Sequence, residues 1–270
     1  RILYTRWGYV DRNAVHYQQL WHCRPDGSAP MIYFGNNTLN PVGVWEARAI
    51  PGSDKVMATA AAHHAMTAGS IILLDTSAAV DGLEPITRLT PDTPFPESES
   101  PLAPAWRSPA PVERPESVEQ QRWPGHCYKS AWPLSETYFI AAYSFDRLIG
   151  EAKANKANMF GLYLVDAFGN KELLYRDLNL SSLWPMPLKP RPMPPALQPA
   201  AVAGAPDTGT YFLQDVYKSM PQVAPGEVKR LRIIQVLPKS TSGANNPMVG
   251  LANASPGKQV LGTVPVEEDG

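Results

Sequence analysis

The sequence has few of the residues that usually identify a function. Only two cysteines, Cys23 and Cys127, occur in 270 residues, which is too few for a disulfide scaffold. We expect two free thiols, with a single bridge between them as the alternative. The 24 Lys+Arg and 25 Asp+Glu residues nearly balance, so charge gives no reason to expect nucleic acid as a partner. The longest apolar runs have the length of strands, and no membrane insertion is expected.

The common catalytic motifs are also missing. The chain has no Gly-x-Ser-x-Gly elbow, no Gly-rich phosphate loop and no His-Glu-x-x-His pair, which are the signatures of several hydrolases, nucleotide-binding proteins and zinc proteases. It also lacks a Cys-x-x-Cys-His motif for haem attachment, so no haem is expected within the segment. The chain starts within a strand pattern without a leader and stops at a turn signal, which predicts a piece of a larger protein.

What the sequence does contain is a repeated strand–turn–strand pattern. Residues 161–175 combine an apolar run, a turn at 166–170 and a second run, which predicts a β-hairpin. The pattern also occurs at 19–34 and at 70–89. Repeated hairpins are typical of β-propeller blades. We therefore predict an all-β fold, a β-propeller or partial propeller of four-stranded antiparallel blades.

The predicted modules follow one another along the chain. Residues 1–35 form the first, 43–90 a complete blade, 125–176 another blade and 177–238 a stretched module. Strands are predicted at 2–7, 44–50, 55–61, 70–74, 85–89, 128–133, 137–144, 160–165, 171–175, 209–217, 228–236 and 258–265. The last of these is expected to be cut off from its partner.

Proline interrupts the pattern in two places. The chain has 29 prolines, and many of them fall within about 91–124 and 189–208. Proline cannot donate a hydrogen bond to a strand ladder, so these stretches are predicted to be irregular insertions, partly in polyproline conformation. Residues 1–270 are otherwise predicted to form one domain.

Two pairs of residues are candidate metal ligands. His63 and His64 are adjacent in a predicted loop, where one imidazole could bind a metal and the other could assist it. The alternative is a structural pair that bonds to the neighbouring backbone. His126 and Cys127 have the side chains that zinc prefers, and the alternative is a buried cysteine beside a partly exposed histidine. If either pair binds a metal, zinc is the one that these ligand types suit.

Charged residues near the start of the chain allow two interpretations. Arg6, Asp11 and Arg12 lie beside aromatic residues. They could line a funnel at the propeller axis, or they could form internal ion pairs that hold blades together. Glu46 and Arg48 allow the same two interpretations.

Several longer blocks carry a family resemblance. They are YTRWGYVDR at 4–12, EAR at 46–48, AHH at 62–64, WPLSE at 132–136, GLYLVDAFGN at 161–170, QDVY at 214–217, VKRLR at 228–232 and LGTVPVEEDG at 261–270. Together they resemble the middle domain of the hydrazine synthase alpha subunit and its relatives in large exported bacterial proteins, over nearly the whole chain. The single hairpins resemble only TolB-like or WD40-like repeats.

The resemblance implies a propeller-like middle domain flanked by c-type haem domains in a periplasmic or equivalent compartment. Hydrazine synthase makes hydrazine from nitric oxide and an ammonium-derived nitrogen, with a zinc site near its catalytic haem. Haem c is therefore expected only in flanking domains or subunits, which would be the partners of this chain.

Three functions follow as hypotheses. The first is a non-catalytic scaffold or interaction domain of a larger haem-containing redox protein. The second is a metal-ligand-donating part of a hydrazine-synthase-like oxidoreductase. The third is a stand-alone propeller that binds a peptide or a glycan.

Overall fold

The computed structural model describes most of the chain up to residue 191 and shorter parts beyond it. The described residues are 1–7, 18–63, 65–99, 125–148, 155–191, 193, 196–197, 204, 208, 211, 213, 215–217, 222–237, 240–241, 246–249 and 257–266. The chain divides into two compact units, one of residues 1–8 and 15–198 and the other of residues 9–14 and 199–270. The prediction that residues 1–270 form one domain stays a prediction.

Regular structure in the described residues is almost entirely β. The first unit contains eleven strands: β1 (Ile2–Trp7), β2 (Gln18–Cys23), β3 (Met31–Phe34), β4 (Gly43–Ala49), β5 (Val56–Ala61), β6 (Gly69–Leu74), β7 (Ile86–Arg88), β8 (Cys127–Pro133), β9 (Tyr138–Ser144), β10 (Gly161–Asp166) and β11 (Lys171–Tyr175). The second contains β12 (Arg230–Val236) and β13 (Lys258–Pro265). A short 3₁₀ turn occupies Ala65–Thr67. The predicted all-β fold class is confirmed. The described residues contain no helix that is long and apolar enough to cross a membrane.

The strands of the first unit form three antiparallel meanders. They are β1–β2–β3, β4–β5–β6–β7 and β8–β9–β10–β11. Residues 137–144 and 160–175, which were predicted to belong to one blade, pair in one antiparallel sheet. Single residue pairs join the meanders, Gln18↔Gly43 between β2 and β4 and Gly69↔Tyr128 between β6 and β8. The result, for the described strands, is an open eleven-stranded sheet, and a closed propeller stays a prediction.

The first strands of the second and third meanders carry matching bulges. β4 changes register after Trp45, and β8 changes register after Lys129. The next residue in each strand, Glu46 or Ser130, has a φ of 54°. A bulge bends its strand and redirects the side chains near it. Because β4 packs next to β8, the two bulges are brought together.

The core lies on both faces of the central strands. Every residue of β5 and of β6 is buried, as expected for strands that are covered on both sides. Met57 and Ile71 belong to one apolar cluster, and their neighbours Ala58 and Ile72 belong to another. Successive side chains of a strand point to opposite faces, so the two clusters cover the two faces of the sheet.

Two strand predictions require correction. The described residues of 209–217 are not in a strand. Here the Asp215 side chain accepts a hydrogen bond from the Tyr217 backbone N–H at 2.8 Å, a local bond that competes with strand pairing. The strand at 258–265 is present, but it is not cut off from a partner, because it pairs along its length with β12. That partner is too distant in sequence for a local pattern to reveal.

The proline-rich insertions agree with expectation as far as they are described. Residues 91–99 form turns without a strand, and the described residues of 189–208 are likewise not in strands. Residues 100–124 lie outside the described part of the chain.

Candidate functional site

Glu46 connects the two bulges through its carboxylate. The Ser130 backbone N–H donates to Oε2 at 2.5 Å, and the Ser130 hydroxyl donates to Oε1 at 3.0 Å. The indole Nε1 of Trp184 also donates to Oε1, at 2.8 Å. Hydrogen bonds to an ionised acceptor are stronger than neutral ones. The carboxylate therefore fixes β4 against β8 and holds Trp184, which lies in an irregular segment, beside them.

Lys129 places a buried ammonium group near this carboxylate. Lys129 is only 6% exposed, and its Nζ lies 3.9 Å from Glu46 Oε1. The Nζ donates to the Met66 carbonyl at 2.7 Å and to Thr67 Oγ1 at 3.4 Å. Burial lowers the pKa of Lys129, while the charge of Glu46 acts to raise it. An amine with a lowered pKa can serve as a base or nucleophile, but this one is held by structural acceptors.

Unusual backbone conformations surround Lys129. A positive φ occurs at Glu46 (54°), Met66 (63°), Thr67 (51°), Ser130 (54°) and Trp184 (50°). Each such residue costs on the order of 1 kcal/mol or more, and such strain concentrates at functional sites. We therefore take these five residues together with Lys129 as the candidate site and call it the bulge cluster.

His63 follows β5 and is held by several contacts. The Gln18 amide Nε2 donates to His63 Nδ1 at 2.5 Å, and the His63 backbone N–H donates to Glu97 Oε2 at 2.7 Å. The Trp7 ring centroid lies 4.5 Å from that of the imidazole. Because Nδ1 accepts a hydrogen bond, it is not open to a metal. His64 lies outside the described residues, so their joint role as ligands stays a prediction.

Cys127 lies in an apolar environment. It is completely buried in a cluster that includes Ala62, Met159 and Phe160. Burial raises the pKa of its thiol well above the usual range. The thiolate is the form that binds metals and attacks electrophiles, and this environment disfavours it. Cys23 is half-buried, and both cysteines are free thiols.

His126 contacts a separate group of polar side chains. Its Nε2 lies 3.2 Å from Asp92 Oδ2, which also accepts hydrogen bonds from the Tyr128 hydroxyl at 2.9 Å and from Lys171 Nζ at 3.2 Å. Burial acts to raise the pKa of Asp92, but the bonds from Tyr128 and Lys171 and the charge of Lys171 lower it overall. Burial, and then Asp92, raise the pKa of Tyr128. The carboxylate thus joins the proline-rich loop to β8 and β11.

The predicted metal ligands that the structure describes do not lie together at one site. His126 bonds to Asp92, whereas Cys127 packs among apolar side chains. No three His, Cys, Asp or Glu side chains of the described residues form a group that could hold a metal ion. The zinc prediction, which also involves His64, stays a prediction.

Arg6 contacts an aromatic ring of the neighbouring strand. Its guanidinium lies 4.4 Å from the centroid of the Trp21 ring on β2, a cation–π contact. Asp11 and Arg12 lie outside the described residues, and the choice between funnel lining and ion pairing stays open for all three residues.

Sequence reasoning identified Glu46 but missed the rest of the bulge cluster. The two bulges, Trp45 to Arg48 and Lys129 to Trp132, share only an alanine at their third position. The one available signal was that each lies in the first strand of a predicted blade. A charged or polar residue at equivalent positions in the first strands of two predicted blades could have indicated the contact.

Known proteins provide no further guide to the site. No protein-family model matches the chain, and neither the curated proteins nor the solved structures yield a match. Function is therefore argued from the geometry and from the sequence blocks.

Proposed function

We propose that this chain is a non-catalytic, propeller-like scaffold domain of a larger exported redox protein. The observation that supports this most is the link from the Glu46 carboxylate on β4 to Ser130 on β8. It joins the first strands of two meanders through a half-buried carboxylate and a buried serine, which is what a rigid framework requires.

The proposal treats the meanders as propeller blades. β4–β7 and β8–β11 each have four antiparallel strands in sequence order, which is the composition of a blade. Their first strands are neighbours, and β1 is also a neighbour of β4. β1, β4 and β8 would then be the innermost strands of three consecutive blades.

The polar groups of the bulge cluster support a structural role. A catalytic acid or base must reach a substrate, but Lys129 Nζ is directed to the Met66 carbonyl and Thr67. Glu46 in turn uses both oxygens for Ser130 and Trp184. These contacts offset the free-energy cost of the strained bulges. They also occupy the polar atoms of Lys129 and Glu46 that a substrate would otherwise contact.

The setting of the scaffold comes from the resemblance to the hydrazine synthase alpha subunit. We propose that the domain lies in the periplasm or an equivalent compartment, beside c-type haem domains or subunits that it positions. This part of the proposal depends on the sequence blocks and not on the geometry.

A second candidate function is donation of a metal ligand to a neighbouring haem domain. The observation that favours it is Glu97, a carboxylate only 7% exposed that contacts the His63 backbone. A carboxylate and an imidazole are both ligands for zinc. A stand-alone peptide- or glycan-binding propeller has no comparable support, since it requires a closed ring.

Metal analysis of the longer protein separates the two candidates. The scaffold predicts that His63→Ala, His64→Ala and Cys127→Ala leave the zinc content per molecule unchanged. It also predicts unchanged turnover per folded molecule in any redox assay. Loss of about one zinc equivalent in a histidine variant, with folding intact by circular dichroism, would replace the scaffold proposal by ligand donation. The haem spectrum of the same protein tests the redox setting separately, since absence of haem c would contradict it.

A further inference from the structure

A positively charged cleft lies beside the two bulges. Its volume is about 470 Å³, within the range of roughly 300–1,000 Å³ that is common for small-ligand sites. Four cationic side chains line it: Arg1, Arg48, Lys189 and Arg191. None of the described residues that line it is acidic, and the remaining wall is mainly apolar, with Trp132 and four prolines.

The bulges place the two central groups of the cleft together. Arg48 follows Glu46 by two residues in β4, and Trp132 follows Ser130 by two residues in β8. The Arg48 guanidinium carbon lies 4.6 Å from the centroid of the Trp132 ring, and that of Arg191 lies 5.0 Å from the same centroid. Two guanidinium groups are therefore held at one indole ring despite their mutual repulsion.

No described residue accepts a hydrogen bond from the Arg48 guanidinium. Among the described residues, Arg48 contacts the Trp132 ring but makes no hydrogen bond or ion pair. Glu46, the closest acidic residue in sequence, uses its oxygens for Ser130 and Trp184. Burial lowers the pKa of Arg48, Glu46 acts to raise it, and Arg191 lowers it further. A half-buried guanidinium without an acceptor is costly, and an anion in the cleft would supply one.

We propose that this cleft binds a small organic oxyanion, meaning a carboxylate or phosphate attached to an apolar group. The planar fork of a guanidinium matches both carboxylate and phosphate oxygens. The head group would lie against Arg48 and Arg191, with Lys189 adding charge at the exposed side. The proline and Trp132 surfaces would contact the apolar part, which an inorganic anion lacks.

Calorimetric titration of the 270-residue chain tests the ligand class. Benzoate and phenyl phosphate serve as probes, inorganic phosphate as the head group alone, and benzyl alcohol as the apolar part alone. We expect one binding site per chain for at least one aromatic anion, with affinity at least about 10-fold higher than for inorganic phosphate. Affinity should fall as salt is added, because exposed charges are screened. The ranking of the two aromatic anions distinguishes a carboxylate from a phosphate ligand.

Variants test the site itself. Arg48→Gln and Arg191→Gln should each weaken binding by about 10-fold or more, as expected for loss of a hydrogen bond to a charged group. Lys189→Gln should have a smaller effect in the same direction. Arg6→Gln is the matched control, because Arg6 also lies over a tryptophan ring but does not line the cleft, and it should leave affinity unchanged.

Two results would overturn the proposal: no saturable binding of either aromatic anion, or wild-type affinity in Arg191→Gln. The second result is decisive even if Arg48→Gln fails to fold, since Arg191 is exposed. The anion site is independent of the scaffold proposal, so failure of one leaves the other in place.

Discussion

The Glu46 carboxylate on β4 accepts hydrogen bonds from both the backbone N–H and the hydroxyl of Ser130 on β8. Each residue is the left-handed member of a bulge in its own strand. The two meanders are therefore joined by a matched pair of irregularities and not by apolar packing alone. Since a bulge redirects side chains, the strained backbone of each strand places the groups that bond to the other strand.

Glu46→Gln should lower the free energy of unfolding by about 2 kcal/mol. The substitution keeps the shape of the side chain but removes the charge that Ser130, Trp184 and the buried Lys129 ammonium all contact, and breaking one partner of a buried pair is strongly destabilising. Urea denaturation monitored by fluorescence measures the change. Glu172→Gln, on the exposed strand β11, is the control and should change stability by less than about 0.5 kcal/mol. Equal effects of the two substitutions would contradict the structural role of Glu46.

Lys129 should make stability depend on pH in the alkaline range. Burial lowers its pKa in the folded protein below the usual lysine value of 10.5. Between the lowered pKa and 10.5, Lys129 of the unfolded chain holds a proton that Lys129 of the folded chain has released. The contribution of Lys129 to the free energy of unfolding therefore rises with pH in this range. The free energy of unfolding of wild type relative to Lys129→Met should therefore rise as pH increases towards 10.5.

Denaturation of both proteins at several pH values from 7 upwards tests this, because titration of other groups cancels in the difference. Lys55→Met is a control of opposite sign above about pH 10.5, where stability from Lys55 is lost, since hydrogen bonding to Glu136 raises the pKa of Lys55. A constant difference between wild type and Lys129→Met would show that Lys129 is not perturbed by burial.

The two cysteines should differ strongly in reactivity. Cys127 is buried with a raised pKa, whereas Cys23 is half-buried on β2. Since the thiolate is the reactive form, a thiol reagent should modify Cys23 readily and Cys127 at least about 100-fold more slowly until urea unfolds the protein. Cys23→Ser should remove the fast reaction. Fast modification of Cys127 in folded Cys23→Ser would mean that its apolar pocket is open.

Gly69→Ala should destabilise the sheet by about 2 kcal/mol, a typical cost of overpacking. A Cβ at this position would lie 2.1 Å from the Ala60 carbonyl oxygen, and backbone would have to move where β6 pairs with β8 through Gly69 and Tyr128. Thermal unfolding measures the loss. Gly262→Ala on β13 is the matched control, because a Cβ there meets nothing within 4 Å. Unchanged stability of Gly69→Ala would show that β6 can shift without cost.

Strand positions could be predicted from the sequence because apolar runs and turn residues are local signals. The hairpin at 161–175 is present as β10 and β11, and its partner β9 was also expected. The pairing of β12 with β13 was missed, since it joins segments far apart in the chain. Residues 209–217 have strand-forming composition, but the Asp215 side chain bonds locally instead.

The candidate site was less predictable than the fold. Glu46 was identified as charged and near the start of a blade, but its partners depend on bulges that place Ser130 and Trp184 beside it. A positive φ at Glu46 or Ser130 has no signal in residue type, because neither is glycine or asparagine. Cys127 is buried, as in the alternative given from the sequence, because free cysteine is among the residue types most often buried.

An experimental structure of the larger protein that we propose for this chain tests the scaffold claim most directly. The account predicts that β1, β4 and β8 surround one axis, with the inner strands of further blades beside β1 and β8 and with the Glu46–Ser130 contact intact. A structure in which no further blade packs against β1 or β8, leaving the eleven-stranded sheet open, would contradict it.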